Sequence, residues 1–278
     1  TLPLALVAAV TIALPAPLPV FAAATLRFTV TDFTDTPPIV DRSVLRVDGS
    51  DLRLDGGFRG AEEPSASTIF HGRKRSLTVL IHPTRQAMSF DRKTGGRIAR
   101  HLVATRKQWE EALAKVPEAN RDHARRMLEE RYPAMAAEGG RTSHPVVLKR
   151  MSDSGSTNGW DWVRWEAWDG DVKVREYLVT DTSNIPAGEE TVHAVTDMSG
   201  YLQELTAQLG GQIPMQNPFL EIAKLNGFPV VIRSFDQGVM ARETVLRTAD
   251  SEPLDAGLFT NPGYTAVDPI AMMGDMTP

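Results

Sequence analysis

The sequence predicts an α+β fold: one large antiparallel sheet with helices packed on it. Three observations carry that reading. From Thr25 to about residue 90 the chain alternates apolar and polar with a period of two, broken by turn signals. Two later blocks, about 106–132 and 189–209, carry apolar residues at helical spacing. Between and after these blocks the period returns to two. Strands that follow one another through short turns pair antiparallel, and the long helical stretches are too few for βαβ units. Eight to eleven strands are expected.

The chain opens with TLPLALVAAVTIALPAPLPVFAAA, which is apolar and uncharged. Its apolar centre, Leu4 to Leu14, is too short to span a bilayer, and Pro15, Pro17 and Pro19 stop any helix. Ala22 and Ala24 stand at the −3 and −1 positions of a cut before Thr25. Residues 1–24 therefore read as a secretory signal peptide, and the expected location is the periplasm. No later apolar run reaches 18 residues, so no transmembrane segment is expected in the mature chain.

From Thr25 the strands follow in order. Leu26, Phe28 and Val30 share one face of TLRFTV. In SVLRVDGSDLRLD a Gly49-Ser50 turn pairs Val47 with Leu52 and Leu45 with Leu54, and points Arg46 and Arg53 to water. SLTVLIH turns at His82 to Arg85 into QAMSFD. The helical pattern then begins. Trp109, Leu113 and Val116 form the apolar stripe of a first helix ended by Pro117. A second helix carries Ala124, Leu128 and Tyr132. Together they form a helical insertion at about 105–140, closed by Gly139-Gly140.

NGWDWVRWEAWDGDVKVREYLVTDTSNIP holds Trp160, Trp162, Trp165 and Trp168, four of the chain's five tryptophans. Asp169-Gly170 signals a hairpin turn. That register pairs Trp165 with Val174 and Ala167 with Val172, and puts Trp162, Trp168 and Tyr177 together on the other face. The paired-helix insertion is the expected cover of these aromatic residues, which brings Trp109 near them. After Pro186 comes a helix with Val195, Met198, Leu202, Leu205 and Leu209 on one face. A short helix with Pro218 at its first position follows, then a hairpin around Asp236-Gln237-Gly238. Residues 25–265 read as one β-rich domain, and 266–278 as a flexible tail.

VLRVDGSDLRLD, LTVLIHPTRQAMSFD, the tryptophan stretch and NGFPVVIRSFDQGVMARETVL, in that order, resemble an uncharacterised family of exported bacterial proteins, a domain of unknown function. Its members look distantly similar to the periplasmic lipoprotein carrier and receptor fold (LolA/LolB-like). The resemblance covers nearly all of the mature chain. It implies that the sheet curls into an open half-barrel with helices packed across its concave face, and it supplies no catalytic residues. The family often shows a cysteine shortly after the N-G aromatic, where this chain has Trp162. That departure speaks against a thiol-based role.

The chain has no cysteine, which excludes disulfides, thiolate metal sites and a cysteine nucleophile. A net charge of −5 does not call for nucleic acid. The six histidines make neither H-x-H nor H-E-x-x-H spacing. SDSGSTNG lacks the G-x-S-x-G arrangement of a nucleophile elbow and reads as a flexible loop. The acid pairs Glu62-Glu63, Glu110-Glu111 and Glu129-Glu130 fall on loops or helix surfaces. Arg73-Lys74-Arg75 is a solvated basic turn, and Met272, Met273 and Met276 belong to the tail. No cofactor, metal site or catalytic residue is expected. The reading is an exported non-enzymatic envelope protein that binds a lipid, an acyl chain or a lipidated partner in a helix-covered apolar cavity. Trp162, Trp168, Tyr177 and Trp109 are the ligand-pocket candidates. The alternative is an envelope-stress or protein-interaction scaffold with a filled core and no ligand.

Overall fold

The computed structural model describes residues 23–131, 146–209 and 219–272. The leader up to residue 22, residues 132–145 of the insertion, Pro218, Met273 and Met276 lie outside the described residues. Six strands come first: β1 (Ala23–Asp32), β2 (Ile39–Asp48), β3 (Asp51–Gly56), β4 (Ala66–His71), β5 (Ser76–Ile81) and β6 (Gln86–Phe90). Helices α1 (Arg92–Lys115) and α2 (Glu118–Arg131) follow. Then come β7 (Val147–Thr157), β8 (Trp160–Asp169), β9 (Val172–Thr180) and α3 (Gly188–Gln208). The chain closes with the single turn α4 (Phe219–Ile222), β10 (Phe228–Asp236), β11 (Val239–Asp250), β12 (Thr265–Ala266) and the single turn α5 (Pro269–Met272).

All twelve strands join one sheet in the order β12-β6-β5-β4-β3-β2-β1-β11-β10-β9-β8-β7. The pairings are antiparallel except the two-residue contact of β12 with β6. The sheet is open, with β12 and β7 at its edges. The strand count exceeds the expected range in part because Ser152 to Thr157, read as a flexible loop, belongs to β7. That stretch is polar, but an edge strand needs only one partner, and β8 templates it with a register irregularity between Arg150 and Ser154.

The first meander folds as its alternation dictates. Val47 pairs with Leu52, Leu45 with Leu54 and Arg46 with Arg53 around the Gly49-Ser50 turn. Cross-strand partners share a face, so one row runs Ala24, Val47, Leu52, Phe70, Leu77 and Phe90 across β1 to β6. These apolar side chains belong to the main core together with Ala194, Val195, Met198 and Tyr201 of α3. Tyr201 hydroxyl donates to the Phe90 carbonyl at 2.7 Å, which ties the middle of α3 to the end of β6.

Helix α1 starts at Arg92, well ahead of the expected start at about residue 106. Asp91 caps it by accepting from the Thr94 amide. Ile98, Leu102, Thr105 and Trp109 form its buried stripe. Gly95-Gly96 hid the start, because two glycines weaken any helix signal. The structure explains Gly95: a Cβ there would lie 2.7 Å from both Leu205 and Gln208 of α3. The absence of a side chain lets α1 and α3 approach closely. The described side chains of α2, up to Met127, are exposed or half-buried. Of the expected tail, residues up to Met272 are tied to the fold. Val267 donates to the Ala87 carbonyl at 2.8 Å, and Ile270 packs against the cluster that contains Trp109.

Candidate functional site

The four pocket candidates do not meet. The β8–β9 register differs from the expected one: Trp165 pairs with Tyr177, Ala167 with Arg175 and Trp168 with Lys173, with a bulge next to Trp168. The tight turn is Gly170-Asp171, and the bulge inserts an extra residue on β9 that pattern reading does not reveal. Tyr177 therefore shares Trp165's face, the one that meets α3 and α4, while Trp162 and Trp168 lie on the opposite face. Trp109 sits in a separate cluster with Ile98, Leu102, Leu205 and Leu209 where α1 meets α3.

On the helix side, Tyr177 is wholly buried, and its hydroxyl donates to the Glu221 carboxylate. Arg175, two residues earlier on β9, forms an ion pair with the same carboxylate. Burial, reinforced by the neighbouring Glu221 charge, pushes the Tyr177 phenol far above its ordinary range. The trio gives the buried Tyr177 hydroxyl an acceptor and fastens α4 to β9. A phenol held this firmly in its neutral form is suited to anchoring rather than to proton transfer.

On the other face, Leu178, Val231 and Val245 form a cross-strand row that is buried although the helices lie on the opposite side. Asn158, at the tip of the β7–β8 hairpin, donates to the Leu246 carbonyl of β11 at 3.3 Å. The tip thus reaches past β9 and β10. Trp160 and Trp162 pack against the cluster that holds Leu178, Val231 and Val245, and supply apolar cover on this side. The Trp162 ring lies against Gly155, where a Cβ would come within 2.6 Å of it, and its Nε1 donates to Thr157 Oγ1 at 3.0 Å. Trp168 donates to Glu166 at 3.2 Å, and Lys149 stands over its ring at 4.7 Å.

Beside these tryptophans runs a charge ladder. Glu166 and Glu176 are direct cross-strand partners, an arrangement that repels unless cations intervene. Lys173 lies 3.5 Å from Glu166 and 3.2 Å from Glu176. Arg233 bridges Glu176 at 2.7 Å and Glu243 at 2.9 Å. Burial pushes the Glu176 carboxyl up, but hydrogen bonds from Arg233 and Lys173 outweigh it and hold the group below the usual carboxylate range. A carboxylate kept ionised in this way binds strands together and is a poor proton donor. A recess of about 470 Å³ opens at the end of this region, lined by Ser154, Gly155, Asp161, Trp162, Val163, Val179, Asp181 and Asn184.

Sequence reasoning missed a third polar group. Arg46 and Arg53, expected to face water, instead hold the buried Asp55: both guanidinium groups pair with its carboxylate. Ser67 donates to Asp55, and its Oγ lies 2.7 Å from His82 Nε2. His82 Nδ1 is 2.5 Å from the Tyr264 hydroxyl. The sequence signal was Asp55 itself, an acid on the same alternating face as the two arginines. The order Asp–Ser–His differs from a catalytic triad, in which the acid orients the histidine. Here Asp55 holds the serine, and Ser67 is 1% exposed.

Among the described residues no group of three or more His, Cys, Asp or Glu could hold a metal ion. No described helix is long and apolar enough to cross a membrane. No family model matches the chain, and no curated protein does. Among solved structures it is similar to an uncharacterised conserved protein from Thermus thermophilus, with 6% identity, a TM-score of 0.43, and coverage of 87% of this chain and 89% of that one. It is also similar to PNGF-II, with 9% identity and a TM-score of 0.40, over 92% of this chain but 32% of that one. A LolA superfamily protein from Nitrosomonas europaea matches with 9% identity and a TM-score of 0.26, over 87% and 91% of the two chains. All three likenesses are distant.

Proposed function

We propose that this chain is an exported, non-enzymatic envelope protein that works as an interaction scaffold through its surface, around a filled core. One observation supports this over a helix-covered lipid cavity. Leu26, Val47, Leu52, Phe70, Tyr177, Ala194, Leu225 and Leu246, on the helix-facing side of the sheet and in the segments packed on it, are 0% exposed. A side chain with no accessible surface borders no void large enough for water. An acyl chain could enter beside these residues only if α3 lifted from the sheet. That movement would break the Tyr201–Phe90 hydrogen bond and expose the Phe70–Tyr201 ring contact.

The test is native mass spectrometry of protein purified from its own envelope fraction. A single species at the mass of the polypeptide is expected. A co-purifying lipid in stoichiometric amount would overturn the scaffold reading and restore the carrier.

Export rests on the uncharged apolar leader, and the extent of β1 supports a cut before Ala23 over one before Thr25. Ala23 and Ala24 already belong to β1, pairing with Asp48 and Val47, and Ala24 is fully buried. A cut before Thr25 would remove both from the strand. A cut before Ala23 places Val20 and Ala22 at the −3 and −1 positions, compatible with a small-residue site, and leaves β1 whole. N-terminal sequencing of the envelope-fraction protein is expected to read Ala-Ala-Thr-Leu. A sequence beginning within residues 1–10 would rule out cleavage and with it this route of export.

A further inference from the structure

Six of the eight large apolar side chains that stay exposed among the described residues, Phe33, Ile39, Val40, Val147, Val172 and Val239, lie at one end of the sheet. There β1, β8 and β10 finish and β2, β7, β9 and β11 begin. The other two, Val103 and Met127, are on α1 and α2. On the face opposite the helices, strand pairing arranges this end as a row beside the charge ladder. Val147 pairs with Trp168, Trp168 with Lys173, and Phe235 with Met240. The Lys173 ammonium lies over the Phe235 ring at 4.5 Å, which joins the β9 and β10 members of the row. Phe33 extends the row past the end of β1, its amide donating to the Ala241 carbonyl of β11 at 2.9 Å.

The row is apolar except at Lys173. Its ends are open: Phe33 is 36% exposed and Val147 53%. In the middle, the stems of Lys173 and Lys149 lie on the Phe235 and Trp168 rings, a thin cover that leaves both rings half-buried. It crosses β1, β11, β10, β9, β8 and β7, neighbours in the sheet, and at about 4.8 Å between strands it is about 24 Å long. The inner flank is the charge ladder, whose members already pair with one another. The outer flank is acidic. Asp35 of the β1–β2 loop, Asp169 and Asp171 of the β8–β9 turn and Asp236 at the end of β10 have no ion pair among the described residues, while Arg242 is taken by Asp32.

We infer that this row is the docking site of the scaffold: it takes an amphipathic helix of a partner protein, apolar along one stripe and basic along the flank that meets the hairpin tips. The inference rests on the scaffold reading above and names the class of partner. A length of about 24 Å corresponds to about 16 residues of α-helix, and a turn of about 5.4 Å nearly matches the strand spacing of about 4.8 Å. A helix laid across the strands therefore sets one apolar side chain against each strand in turn. A neutral flank would leave the four carboxylates unanswered, whereas lysine or arginine there complements them. Exposed charges of this kind steer the encounter more than they hold the complex, so affinity resides in the row. A lipid surface fits less well, because Asp169, Asp171 and Asp236 stand at the hairpin tips and would have to enter it first.

Isothermal titration of the purified protein tests this with three synthetic peptides of about 16 residues, the length the row sets. One is a leucine–lysine helix with its leucines on one stripe, one a leucine–glutamate helix of the same pattern, and one the leucine–lysine composition with the stripe scrambled. The first is expected to bind and the other two are not. Phe33→Ser and Val147→Ser are each expected to weaken binding about tenfold, the usual worth of burying one large apolar side chain. Asp169→Asn combined with Asp171→Asn is expected to weaken it about fivefold or less and to flatten its salt dependence. Val103→Ser, an exposed valine on α1, is expected to change nothing. Should F33S not fold, V147S decides. Equal binding of the scrambled peptide, or unchanged affinity in V147S, would overturn the inference. A wild-type dimer that V147S dissociates would also overturn it, by making a second copy the occupant. Absence of binding by the leucine–lysine helix refutes the docking row but leaves the scaffold reading, which a co-purifying lipid tests separately.

Discussion

Replacing Glu221 by alanine is expected to lower the unfolding free energy by about 3–5 kcal/mol, the usual cost of removing one partner from a buried ion pair. Glu221 is buried, and its carboxylate receives both the Arg175 guanidinium and the Tyr177 hydroxyl. The alanine takes the carboxylate away from that guanidinium, and leaves a phenol in an apolar setting without its acceptor. Glu221→Gln should cost clearly less, because an amide oxygen still accepts from one or both donors. Tyr177→Phe removes one hydrogen bond and should cost about 1 kcal/mol. Denaturant unfolding of the three variants gives the ranking. If Glu221→Ala falls within about 1 kcal/mol of the wild type, the trio is not the fastening of α4 that its geometry describes.

How much of this was legible in the sequence depends on how far each feature reaches along the chain. The register of the β2–β3 hairpin was legible, because a two-residue turn with glycine sets it locally, although Arg46 and Arg53 turn to Asp55 and not to water. Helix α3 was legible because Val195, Met198, Leu202 and Leu205 repeat without interruption. The β8–β9 register was not, because a bulge is a decision made by the packing of both strands. That single inserted residue moved Tyr177 away from Trp162 and Trp168 and dissolved the expected aromatic wall. The start of α1 was hidden by Gly95-Gly96, and the reason for Gly95 lies more than a hundred residues away, at Leu205 and Gln208. Asp55, Ser67, His82 and Tyr264 come from four separate segments, and no local spacing announces them. The tryptophans show both sides of this. Their density correctly marked a strand with apolar surface on both faces. That the hairpin tip at Asn158 would reach Leu246 of β11 could not be read, because no local spacing announces a contact 88 residues away.

Phe70→Ala bears directly on the filled-core reading. Phe70 is fully buried between Leu52 and Leu77 on neighbouring strands, and its ring meets Tyr201 of α3 with centroids 5.7 Å apart. Truncation is expected to cost about 3–5 kcal/mol, from lost burial and from the cavity left behind. That cavity would be lined by apolar side chains beneath α3, and an apolar cavity of this kind stays dry and accepts small apolar molecules. The wild type, having no such space beside Phe70, is expected to bind no apolar fluorescent probe. Phe70→Ala is expected to bind one and to be partly stabilised by it, since a ligand that binds only the folded state raises its stability. The carrier reading predicts the opposite pattern. A wild type with a lifting helix would bind the probe already, and Phe70→Ala would unfold at a lower midpoint without gaining affinity. Burial of Tyr201 pushes its phenol up to about 12, so in both proteins the hydroxyl still holds the Phe90 carbonyl at neutral pH. A difference in probe binding therefore reports the space under α3 and not the loss of its tether.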